Sequence, residues 1–67
     1  MKISGRNKLA GEIIDIKQGD IVVQVTMKVG EHKLVSVITR ESCDEMKLKV
    51  GDKVTALIKA TEVMLIK

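Results

Sequence analysis

The chain has 67 residues, 45% of them hydrophobic, and a formal net charge of +3. That length implies one domain, 1–67, with a small core, since only about 60% of the unfolded surface is buried at this size. Phe, Tyr, Trp and Pro are absent and Cys43 is the lone cysteine; this excludes an internal disulfide, leaves one Cys and one His (His32) against the four ligands of a structural zinc site, and makes association between copies the expected stabilising device.

Met1 to Leu9 carries positive charge with no apolar stretch behind it, unlike a secretory signal. Within it, Ile3 to Lys8 reads ISGRNK. Ser4, Gly5, Arg6 and Asn7 can all donate hydrogen bonds, and Gly5 lets its backbone N–H approach a ligand closely. Two readings are open: a polar strand that pairs with a neighbour, or an anion-binding segment. Leu9 to Lys17 is a β-branched run with imperfect alternation. After the tight turn Gln18-Gly19-Asp20, Ile21 to Val29 alternates strictly, with Ile21, Val23, Val25, Met27 and Val29 on one face. The two runs predict a hairpin. Gly30-Glu31 then turns the chain into a third strand, Lys33 to Thr39.

From Thr39 to Leu48 the alternation stops. Thr39 suits a helix N-cap, and Glu41, Asp44 and Glu45 suit the first turns, so a short helix is predicted over 40–47. A helix start here leaves N–H groups unpaired beside the Thr39 and Ser42 hydroxyls, which makes an anion site. Plain capping by Thr39 is the other reading, and Glu41 opposes an anion unless it points away. Val50-Gly51-Asp52 is a turn. Lys53 to Lys59 and Thr61 to Ile66 are a fourth and a fifth strand, with Ala60 between them as a kink or bulge. Lys59 interrupts an apolar stretch, either as a solvated edge residue or as a placed charge. Met27, Met46 and Met64 are expected in the core, Cys43 as packing and His32 in a solvated turn. Five short strands with one helix between the third and fourth is the order of an OB-like barrel, so the predicted class is all-β.

No catalytic constellation can be built from one His, one Cys and scattered carboxylates, and no phosphate loop or dinucleotide fingerprint is present, so an enzyme is not expected. No aromatic platform exists for bases to stack on, which disfavours nucleic acid. No apolar run is long enough for a membrane span, and a lone thiol without an export signal suits the cytoplasm. The three donor-rich segments point to an anion that carries no proton. Molybdate, tungstate and sulfate are fully ionised at neutral pH, whereas phosphate is partly protonated and would need an acceptor.

At those segments the chain resembles the molbindins, small molybdenum-binding (Mop) proteins whose unit also occurs in molybdate-responsive regulators and importer ATPases. Ser4-Gly5-Arg6-Asn7, Ile38-Thr39-Arg40-Glu41-Ser42 and the long closing segment Val54 to Leu65 carry the resemblance, which covers nearly the whole chain. It implies an OB-like barrel assembled as a homohexamer, a trimer of dimers with strands exchanged, and oxyanion pockets between subunits. Ser4, Gly5, Arg6, Lys59 and Ala60 would form one wall, with Thr39 and Ser42 supplied by a neighbour. Some relatives carry Ser where this chain has Ala60, so here only the backbone N–H serves. The family's name refers to a molybdenum-pterin, but without stacking aromatics a bare oxyanion is the expected ligand and molybdopterin is not. Storage or homeostasis of molybdate or tungstate is the implied role. A molybdate-sensing module acting through a partner protein and an OB nucleic-acid binder are the alternatives.

Overall fold

The computed structural model describes residues 7–67. Four strands, β1 (Asn7–Gln18), β2 (Val22–Val29), β3 (His32–Thr39) and β4 (Lys53–Ile58), form one antiparallel sheet in the order β3-β2-β1-β4. One helix, α1 (Arg40–Met46), lies between β3 and β4, and a 3-10 turn spans Ala60–Glu62.

The twelve residues of β1 serve two neighbours. Asn7 to Glu12 pairs with β4, and Glu12 to Gln18 pairs with β2. Gly11 sits at the handover because nothing larger fits: a Cβ there would collide with the Lys28 carbonyl oxygen and lie 2.8 Å from Met27 Cε. Two residues later the register slips. Ile13 faces Met27 and Asp15 faces Thr26, so Ile14 is the extra residue of a β-bulge. The bulge explains why the alternation of this run is imperfect. It puts Ile13 and Ile16 on the same core face although they are three apart.

In β2 the predicted alternation holds, with Val23, Val25 and Met27 buried. Ile21 does not join that face; it lies in the turn and is 80% exposed. Gly30 and Glu31 link Val29 to its partner His32, and a positive φ at Gly30 alone is the II′ pattern, which suits the twist of a two-residue hairpin. Helix α1 starts at its N-cap Thr39. It ends at Lys47, whose φ is 52°, with N–H bonds from Lys47 to the Asp44 carbonyl and from Leu48 to the Cys43 carbonyl. That paired 5→2 and 6→1 arrangement is a Schellman stop. It folds Leu48 back beside Cys43, onto the core of Ile13, Val23, Val25 and Cys43.

The sheet does not close into a five-stranded barrel; β3 and β4 remain its two edges. The fifth strand expected over Thr61 to Ile66 is replaced by the 3-10 turn, held by bonds from Glu62 N to Lys59 O and from Val63 N to Ala60 O, followed by residues in no ladder. Met64, Leu65 and Ile66 are 91–100% exposed. Alternation specifies which face of a strand is apolar, but not whose edge it joins. Met64 is therefore exposed rather than in the core; Met46, at the end of α1, is exposed too, while Met27 is buried as expected. On the inner side of the open sheet lies a cleft of about 290 Å³ lined by Met27, Leu34, Ile38, Leu48, Val54 and Ile58 among others.

Candidate functional site

Of the predicted site residues, Ser4, Gly5 and Arg6 lie outside the described residues. Asn7, which follows them, opens β1 opposite Ile58, and its side-chain amide donates to the Ile58 carbonyl at 3.4 Å. Lys59 and Ala60 come next after Ile58. Lys59 precedes the 3-10 turn in an extended conformation, and both residues are exposed. The described β1–β4 ladder thus starts at the Asn7–Ile58 pair, and Lys59–Ala60 follow Ile58 along the chain.

Thr39 and Ser42 form the second group. The Ser42 backbone N–H donates to Thr39 Oγ1 at 3.1 Å, and the Thr39 hydroxyl donates to Ser42 Oγ at 2.9 Å. Two of the first N–H groups of the helix are engaged. Arg40 N–H is bound to the Ile21 carbonyl at 2.8 Å, and Ser42 N–H is spent on Thr39. The Glu41 N–H takes part in no described hydrogen bond and, with the hydroxyls, is what this end offers as a donor.

Arg40 has a role the sequence did not disclose. Its Nη1 donates to the Gly19 carbonyl at 3.4 Å, and its Nε lies 3.9 Å from Asp44 Oδ2. With its backbone bond, it clips the start of α1 onto the β1–β2 turn. The i,i+4 spacing of Arg40 and Asp44 was the available signal. Their exposure makes the ion pair weak, so the clip rests on the two carbonyls.

The two groups do not converge. Ile58, before Lys59, is level with Asn7 at the start of β1, whereas Thr39 is opposite Val22, next to the Gln18–Val23 pair at the end of β1. Eleven residues of strand span about 37 Å at full extension. The bend at Gly11 and Ile14 shortens this, but the groups stay at opposite ends of β1 in a molecule 34 Å long.

Other chemistry is sparse. Among the described residues no three His, Cys, Asp or Glu side chains gather as metal ligands, and no buried side-chain polar atom lacks a partner. His32 is exposed at the hairpin and Cys43 is 2% exposed, as their sequence contexts suggested. No described helix is long and apolar enough to cross a membrane.

A family model described as the TOBE domain matches residues 3–65. The chain is 39% identical over 67 residues to molybdenum-pterin-binding protein 1 of Clostridium pasteurianum, covering 98% of each chain. It is similar to the solved structure of a molybdate binding protein from Sporomusa ovata, with a TM-score of 0.95, 45% identity and full coverage of both chains. The cytoplasmic molybdate-binding protein ModG, solved with molybdate bound, matches with a TM-score of 0.83 and 33% identity over 90% of this chain and 43% of that one.

Proposed function

The chain belongs to the TOBE-domain family, in its molbindin branch, and we propose that it binds molybdate, or the similarly shaped tungstate, in pockets between copies of itself. The role is binding rather than catalysis. One observation carries the reading: two donor groups, Lys59–Ala60 and Thr39–Ser42, sit at opposite ends of β1 and cannot serve one small anion within a single chain. A neighbouring copy must bring one group to the other.

In this reading Arg6 and Lys59 supply the charge, and Ser4, Thr39 and Ser42 supply hydroxyls. The backbone N–H groups of Gly5 and Ala60 complete the shell. Charge-assisted hydrogen bonds of this kind hold an oxyanion without any direct bond to its metal. A donor-only shell also selects an anion that brings no proton of its own. With no Phe, Tyr or Trp in the chain, nothing is available to stack on a pterin.

The assembly we propose is a homohexamer, a trimer of dimers, acting as a cytoplasmic store for the oxyanion. The unpaired apolar segment Val63 to Ile66 and the open inner cleft support strand exchange, in which one copy's C-terminal segment completes the barrel of another. Isothermal titration of the assembled protein is the test. Wild type should bind molybdate and tungstate tightly and sulfate far more weakly, with Arg6→Ala or Lys59→Ala each costing at least tenfold. Absence of heat with molybdate on an intact assembly would refute the reading.

A further inference from the structure

Helix α1 carries two pairs of charges at i,i+4 spacing, and the pairs are of opposite kinds. Arg40 and Asp44 attract, with Nε and Oδ2 3.9 Å apart. Glu41 and Glu45 repel, and like charges at this spacing destabilise a helix. Both carboxylates are exposed, and among the described residues neither takes part in an ion pair. The residue that α1 buries is Cys43. By helical phase Glu41 and Glu45 each stand about 160° round the axis from it, so together they form the solvent face of the helix.

Glu41 also lies inside the candidate site in sequence. Thr39 and Ser42, whose hydroxyl oxygens are 2.9 Å apart, flank the Arg40–Glu41 pair. The Glu41 backbone N–H is one of the donors at this end, yet its own side chain brings a negative charge beside it. Arg40 does not offset that charge, because its guanidinium is turned to the Gly19 carbonyl and to Asp44. Helix stability accounts for part of the pattern. A carboxylate in the first turn is favourable to a helix, which suits Glu41. Glu45 is placed against the helix twice: it repels Glu41, and it sits in the last turn, where a negative charge meets the negative end of the dipole. The fold alone gives no reason for a second carboxylate on this face.

We propose that Glu41, reinforced by Glu45, limits the affinity of the Thr39–Ser42 donor group for its oxyanion and so keeps the bound anion exchangeable. The proposal rests on the split-site reading above and adds a residue that opposes the ligand to those that hold it. A carboxylate about 8 Å from a dianion in water-like surroundings lowers affinity by about a factor of five, and salt screens the effect. A like charge at the rim of a site also slows the approach of the ligand. A store must release what it holds, and a shell made only of donors has no other element that works against retention.

The test is isothermal titration of the assembled protein with molybdate, in low and in high salt. Glu41→Gln should bind at least threefold more tightly than wild type in low salt, and the double variant with Glu45→Gln more tightly again. The gain should shrink in high salt. Glu41→Asp keeps the charge and should bind as wild type does, as should Glu31→Gln at the distant β2–β3 hairpin tip. Equal or weaker binding by Glu41→Gln overturns the proposal, as does a gain that high salt leaves unchanged. A wild type that binds no molybdate defeats the oxyanion reading and this proposal with it, whereas wild-type binding that Glu41→Gln does not tighten defeats this proposal alone.

Discussion

Thr39 has two duties that one substitution separates. Its hydroxyl caps α1, and in the proposed pocket it stands beside the anion. Thr39→Ala should cost about 1 kcal/mol of stability through the lost cap, read by urea unfolding. Thr39→Asp preserves the cap, so its unfolding midpoint should stay near wild type while molybdate affinity falls more than tenfold from like-charge repulsion. If both variants bind as wild type does, Thr39 is a cap and nothing more. Gly11 and Lys47 test the backbone instead. Gly11→Ala drives a methyl into the Lys28 carbonyl, which cannot retreat without breaking the β1–β2 ladder, so a loss of about 2–3 kcal/mol is expected. Lys47→Gly should raise stability by about 1 kcal/mol, because a side chain with φ of 52° carries left-handed strain that glycine lacks. The cap at Thr39 was legible in the sequence because Thr followed by Glu and Ser is a local signal. The Gly11 collision was not, since it depends on a strand seventeen residues away.

At the level of elements, legibility follows locality. The strict alternation of β2 named Val23, Val25 and Met27 in advance, though it also put Ile21 on that face, and Gly30-Glu31 placed the turn. The three isoleucines of β1 were harder, because a bulge changes the parity of a strand without leaving a mark in composition. The C-terminal segment was the least legible. Thr61 to Ile66 has the composition of a strand, but a strand exists only with a partner edge, and one chain does not provide it. That segment carries its own prediction. Deleting residues 63–67 should leave the β1–β4 sheet folded by circular dichroism and reduce the mass of the assembly in native mass spectrometry. A full-size assembly from the shortened chain would remove the segment from the proposed strand exchange. The candidate site divides in the same way: its residue types could be picked from the sequence, but their separation along β1 appears only once the register is known.

For the whole molecule, the separation of the two donor groups along β1 has a consequence in counting. Each chain carries two unlike halves, and a complete pocket takes one half from each of two chains. In any closed assembly every half finds a partner, so the number of pockets equals the number of chains, whatever that number is. An open string of copies always leaves one unmatched half at either end, and so holds one oxyanion fewer than it has chains. Ligand stoichiometry thus becomes a measure of ring closure, and a titration end point of one molybdate per chain in these pockets would report that the assembly has no ends.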